Sequence, residues 1–293
     1  MTLQRKMYPR YLMFLALGMY LVFYIAPSLL GIYYSFTNIT IYNPKNFGFV
    51  GLQNYINLIA QNRFKTGMSN TFSFMIITTI MKNLIGFGLA LALNIKMRTR
   101  NILRATFYLP VILSTLIVSK IFSAMLLPDT GFINQIFALF SPTLGHWDWL
   151  GSKESAIYVI MFVDVWKGAG YCMVIFLAGL QAIPKDCFEA AALDGANARQ
   201  RLWNIILPLM IPSISINVLL CVIGGLKVFD IILVMTNGGP GMSTQVLNTT
   251  IYSYFGSGAL STGCAANVLL TILVVFFFWI IKRVFTVWEA KYS

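Results

Sequence analysis

Six stretches of the chain, near residues 11–35, 71–95, 103–126, 155–182, 207–235 and 263–283, are long apolar runs with few charges. Each has the roughly 20 residues that a helix needs to cross a hydrocarbon core of about 30 Å. Inside such a core every backbone N–H and C=O must find its partner within the protein, and these stretches lack the alternation of barrel strands, so they fold as helices. The expected fold is an all-α integral membrane protein of six transmembrane helices, forming one domain over residues 1–293. With 58% hydrophobic and 10% charged residues, the chain lies outside the soluble globular range. The opening MTLQRKMYPR and the apolar run after it resemble a signal peptide, but the run continues to about Ser35 without a small-residue cleavage site. It reads as a retained first span.

Lys and Arg in the connecting segments give an orientation. Arg5, Lys6, Arg10, Lys96, Arg98, Arg100, Arg104, Lys185, Arg199, Arg201, Lys282, Arg283 and Lys291 fall on the side of the N-terminus, against Lys45, Arg63, Lys65 and Lys153 on the other. Thirteen against four predicts that both termini, and the loop 184–206, are cytoplasmic. The net charge of +12 does not imply a nucleic-acid partner, because the basic residues sit at the ends of apolar spans and form no continuous patch. The four cysteines, at 172, 187, 221 and 264, have no spacing that reads as a metal site or a disulfide framework and are expected to pack. The lone His146, between Gly145 and Trp147, is expected to pack or hydrogen-bond at the interface rather than bind metal.

The most informative polar stretch is Pro184 to Pro212, PKDCFEAAALDGANARQRLWNIILPLMIP. Asp186 followed by Glu189 predicts a capping box that opens a short helix near Cys187, and Gly195 supplies the left-handed residue that stops it. Asn197 and Gln200 repeat the capping pattern and open a second helix. On the opposite side of the membrane, Phe49 to Tyr55 is predicted to lie along the interface. Pro128-Asp129-Thr130-Gly131 and Asn237-Gly238-Gly239-Pro240-Gly241 are predicted as tight turns.

Phosphate-binding loops, zinc-protease motifs and nucleophile elbows are absent from the sequence, so nothing in it points to an enzyme. The glycines at 238, 239 and 241 make a turn, with no Lys-Ser/Thr or helix entry to hold a phosphate. Charges inside the spans are another matter, since each costs on the order of 2.5–3.5 kcal/mol at mid-membrane unless it faces protein or water. Asp164 and Lys167, and likewise Lys227 and Asp230, are spaced to share one helix face. Either they neutralise each other against a neighbouring helix or they touch a polar solute. Asn83, Asn217 and Asn267 fit interhelical hydrogen bonds.

The pattern Glu189-Ala190-Ala191-x-x-Asp194-Gly195-Ala196, followed by Leu207-Pro208 and Pro212, resembles the EAA motif of permease subunits of binding-protein-dependent ABC importers. Phe49-Val50-Gly51-Leu52-x-Asn54-Tyr55, Asn70-Thr71, Leu109-Pro110, Trp166-Lys167 and Phe229-Asp230 are similar to the maltose and glycerol-3-phosphate branch. The resemblance implies the type I importer permease fold. It also implies a coupling loop in which Glu189, Ala190, Ala191, Asp194, Gly195 and Ala196 meet a nucleotide-binding subunit. Lys227, Phe229, Asp230, Leu233 and, on the sixth span, Asn267 would line the solute path. The implied partners are a second homologous permease, a dimer of nucleotide-binding subunits, an extracytoplasmic solute-binding protein, a sugar and membrane lipid. This chain would hold no cofactor, ATP and Mg²⁺ being used by the partner ATPase. An ion-coupled secondary carrier, or an ABC importer for a non-sugar solute, stands as the alternative.

Overall fold

The computed structural model describes residues 10–45, 47–95, 97–141 and 145–292; of the charges counted for orientation, Arg5, Lys6 and Lys96 lie outside them. The helices run in the order α1 Arg10–Tyr20, a π-turn Leu21–Ile25, α2 Ala26–Ser35, α3 Gln53–Ala60, α4 Asn62–Leu93, α5 Arg100–Ile112, α6 Thr115–Met125 and α7 Phe132–Ala138. They continue as α8 Ala156–Ala182, α9 Lys185–Leu193, α10 Ala198–Arg201, a second π-turn Leu202–Ile206, and α11 Leu207–Leu209. The remainder are α12 Ile211–Leu226, α13 Asp230–Met235, α14 Leu247–Gly256 and α15 Leu260–Tyr292. No strand occurs among the described residues; the only β pairings there are the isolated bridges Thr37–Phe49 and Thr40–Asn43.

Four continuous helical stretches, Met13–Ser35, Asn62–Leu93, Ala156–Ala182 and Leu260–Ala290, are long and apolar enough to cross a membrane. Two bent pairs bring the count among the described residues to six if each is one span: Arg100–Ile112 with Thr115–Met125, turned by 94°, and Ala198–Leu209 with Ile211–Leu226, turned by 68°. The sequence predicts the third and fifth spans as straight runs, and the bends have local causes. Pro110 removes a donor inside α5, and Leu113 and Ser114 then take extended angles before α6 begins. In the fifth span Pro212 cannot bond back to residue 208, so the helix restarts after Met210. Both π-turns lie just upstream of a proline, Leu21–Ile25 before Pro27 and Leu202–Ile206 before Pro208. The wider turn makes room where the proline ring would press on the preceding turn.

The chain divides into two compact units, one within Met1–Phe64 and Thr250–Thr271, the other within Lys65–Thr249 and Ile272–Ser293. In the first, Ser35 is the only residue of the opening span buried among the described residues, and its hydroxyl meets the Tyr55 hydroxyl at 2.7 Å. The Asn54 amide donates to the Ser35 and Thr37 carbonyls at 2.8 and 2.7 Å, so the span's last turn is tied to α3. The Phe49–Tyr55 stretch is thus a turn at Gly51 (φ +58°) leading into a helix.

The second unit holds two substantial cores. Phe74, Val118, Ile160, Val163, Ile231, Ile232 and Val246 fill one. The other, built on Ala90, Met173, Phe176, Leu177, Leu180 and Met210, also receives Cys187, Phe188 and Ile206 from the 184–206 loop. Close helix approach is possible because of small residues. A Cβ on Gly170 would lie 2.1 Å from the Phe107 carbonyl oxygen, so α5 crosses α8 backbone against backbone.

Candidate functional site

Residues 184–206 fold as two short helices, and their ends follow the local chemistry unevenly. The first predicted capping box does not form: Pro184 takes the N-cap position of α9 and leaves Asp186 in the first turn. Proline has no side-chain acceptor to offer the free N–H groups of the first turn, and the Cys187 N–H bonds back to the Pro184 carbonyl at 3.3 Å instead. The second box forms. The Asn197 side chain accepts from the Gln200 amide at 2.9 Å, and the Gln200 side chain accepts from the Asn197 amide at 2.8 Å.

Between the helices, Gly195 adopts φ +72°, the Ala196 N–H donates to the Ala191 carbonyl at 2.9 Å, and the Gly195 N–H donates to the Ala192 carbonyl at 3.1 Å. That pair of bonds is a Schellman closure, which satisfies two carbonyls at the end of α9. Glu189, Ala190, Asp194 and Gly195 are exposed, and Ala196 is half-buried. Ala191 is buried, so it packs inward against its own chain and is not available for an approaching partner. The sequence reading missed Leu193, which stands 90% exposed at the end of α9. Its register on a short helix gives no sign of exposure; only the way Cys187 and Phe188 dock on the core turns it outward.

The charges inside the spans are arranged differently from the predicted i, i+3 pairs. Asp164 does not neutralise Lys167; its Oδ2 pairs across helices with the Lys82 amino group on α4 at 2.6 Å. Gly168 makes room for this, since a Cβ there would fall 2.7 Å from Lys82 Cε. Lys227 and Asp230 do not form an ion pair among the described residues, and they do not share a helix face, because α12 ends at Leu226 and α13 starts at Asp230. The Asn248 amide covers the interruption by donating to the Val228 carbonyl at 3.4 Å. Lys227 and Asp230 are exposed at this break, while Phe229 and Leu233 are half-buried. Asn267 is an exposed residue of the other compact unit. Asn217 makes the expected interhelical bond, donating to the Cys172 carbonyl at 3.2 Å, whereas Asn83 bonds within α4 to Thr79.

The segments between the third and fourth and between the fifth and sixth spans are held by side-chain amides. Asn134, fully buried, donates to the Leu127 and Trp147 carbonyls at 3.1 and 2.9 Å and accepts from the Trp149 indole. His146 contacts the Asp129 carboxylate, and both side chains are well exposed. Asn70 donates to the Ser243 and Gln245 carbonyls at 2.7 and 2.9 Å, and the Thr71 hydroxyl accepts from the Leu247 N–H at 2.9 Å, at the start of α14. The turn this supports uses left-handed angles at Asn237, Gly238, Gly241 and Met242.

Residues 82–286 match the family described as binding-protein-dependent transport system inner membrane component. The chain belongs to this family. As a member it is a multi-pass plasma-membrane protein with a role in transport, not an enzyme. It is 35% identical, over 91% of its length and 90% of the relative's, to the trehalose/maltose transport system permease protein MalF of Thermococcus litoralis. It is 34% identical, over 86% of each chain, to the multiple sugar-binding transport system permease protein MsmF of Streptococcus mutans. Its fold matches a chain in the crystal structure of a bacterial ABC transporter involved in the import of the acidic polysaccharide alginate, with a TM-score of 0.82 over 94% of both chains at 22% identity. The chain therefore shares the fold of that transporter chain.

Proposed function

We propose that the chain is one of two membrane-spanning subunits of an ATP-driven importer that moves a sugar or oligosaccharide by alternating access. The observation that carries this reading is the 184–206 loop. It is a closed pair of short helices whose Glu189, Asp194 and Gly195 are exposed while Cys187, Phe188 and Ile206 root it in the membrane core. A force applied to such a loop moves the spans on either side of it. Its partner is a dimer of nucleotide-binding subunits, which uses the ATP and Mg²⁺; this chain binds neither. The positive-inside count supports a cytoplasmic loop and cytoplasmic termini. A second, homologous permease chain and an extracytoplasmic solute-binding protein complete the assembly, and the sugar names of the relatives support the substrate class.

Lys227 and Asp230 support a solute path at the break in the fifth span. Charges exposed at such a position are costly against lipid and fit a hydrated path between subunits. Phe229 and Leu233 flank that path.

The test is uptake of labelled neutral disaccharides into proteoliposomes that contain the purified assembly, with the binding protein outside and ATP inside. Uptake should require ATP and persist when ionophores collapse every ion gradient. Uptake without ATP that an ionophore abolishes would establish a secondary carrier instead.

A further inference from the structure

Two of the four cysteines, 49 residues apart in a sequence with no cysteine framework, meet within the spans. Cys172 on α8 and Cys221 on α12 are both buried, with their sulfurs 3.5 Å apart. The surroundings fix them there. A Cβ on Gly86 would sit 2.6 Å from Cys172 Cβ, so the backbone of α4 stands directly behind Cys172. The Asn217 amide, one turn before Cys221 on the same helix, holds the Cys172 carbonyl at 3.2 Å. Three helices thus press the two thiols together, and a disulfide needs the sulfurs to close by only about 1.5 Å, to a bond length of about 2.05 Å.

We propose that Cys172 and Cys221 are an oxidisable thiol pair whose disulfide ties α8 to α12 and halts transport. The placement gives the bond its effect. The segment between the two cysteines contains the whole 184–206 loop and the bend at Met210, so the disulfide closes a ring around the element through which the partner ATPase acts. The oxidant is hydrogen peroxide, small and uncharged enough to enter an apolar site. One thiol attacks the peroxide: the O–O bond breaks, an S–O bond forms, and the thiol proton leaves in the first water. The second thiol then attacks the sulfenic sulfur. The S–S bond forms, the S–O bond breaks, and a second water carries off the hydroxyl and the remaining proton. Two sulfurs lose one electron each and two peroxide oxygens are reduced. A thiol reductant reverses the bond.

The experiment treats the intact reconstituted assembly with hydrogen peroxide, digests it with trypsin without reduction, and maps the peptides by mass. Cleavage at Lys167, Lys185, Arg201 and Lys227 releases a peptide 168–185 carrying Cys172 and a peptide 202–227 carrying Cys221. The expected product is these two joined, separated again by dithiothreitol, with ATP-driven uptake reduced about tenfold and restored by the reductant. Cys172→Ala and Cys221→Ala should each transport normally and resist peroxide. If peroxide oxidises Cys187 while the 168–185 and 202–227 peptides remain separate, the pairing is wrong, independently of the transport reading. If the joined peptide forms and uptake continues unchanged, the two spans do not move relative to one another and the lock is wrong.

Discussion

Removing the positive partner of Asp164 tests how this chain tolerates charge inside the membrane. At 2.6 Å the Lys82–Asp164 attraction is about 6 kcal/mol gross at an effective dielectric of about 20. Desolvation of both ions consumes most of that, so the pair itself adds little net stability. Leaving one charge alone is different. A buried ion without its partner costs roughly 3–5 kcal/mol, and the remaining 13% and 23% side-chain exposure of the two residues favours the lower end, about 3 kcal/mol. Lys82→Met and Asp164→Leu should therefore each destabilise the protein by about 3 kcal/mol, while the double variant should return to within about 1 kcal/mol of the parent. Lys167→Met, which the sequence spacing would make equally damaging, should cost less than about 1 kcal/mol because Asp164 is engaged elsewhere. The assay is reversible unfolding in mixed micelles by titration with sodium dodecyl sulfate, read by circular dichroism on all four variants. A double variant that loses the sum of the singles, or a Lys167→Met loss matching Lys82→Met, would refute the cross-helix pairing.

Other substitutions probe the remaining elements. Gly195→Val places a β-branched residue at φ +72°, with strain of at least about 1–2 kcal/mol confined to the loop. Uptake should fall while the partner ATPase still hydrolyses ATP, and retained coupling would contradict the role given to the loop. Asn134→Leu removes three hydrogen bonds at a fully buried site and should destabilise the 127–149 segment by about 2–4 kcal/mol, seen as faster amide exchange there. Burial raises the Tyr254 phenol above its ordinary value. The folded chain then keeps that proton longer than the unfolded chain does, so stability is held below about pH 10 and lost as pH rises further. Tyr254→Phe should flatten that alkaline loss, and it should cost about 1 kcal/mol at neutral pH by leaving Gln61 without its donor. Lys227→Ala and Asp230→Ala should each raise the solute concentration needed for half-maximal uptake, and unchanged values in both would remove the break in the fifth span from the solute path.

The spans, the turns and the second capping box are all legible in the sequence because each depends on residues within a few positions of one another. An apolar run of span length cannot be anything but a spanning helix in lipid. Gly195 stops α9, Asn197 and Gln200 cap α10, and Asn237 to Gly241 turn the chain after α13, each for reasons carried by its own backbone angles. Even the bends at Ser114 and Met210 follow from nearby prolines, although the prolines alone do not set the angle of turn. What lies across the bundle is another matter. Periodicity places Asp164 and Lys167 on one face of α8, but Lys82 reaches Asp164 because Gly168 opens a gap between α8 and α4. Cys172 and Cys221 meet because Gly86 and Asn217 draw three helices to one crossing, and Leu193 is exposed because Cys187 and Phe188 face inward. Sequence by itself determined that this chain lives in a membrane and where the 184–206 loop stops and restarts its helices, since lipid and local backbone geometry dictate both. Which charge meets which charge, and which thiol meets which thiol, was decided only by tertiary packing, because in a bilayer the apolar faces of helices are all alike to the solvent and only the fit of small residues against a neighbouring backbone selects one crossing.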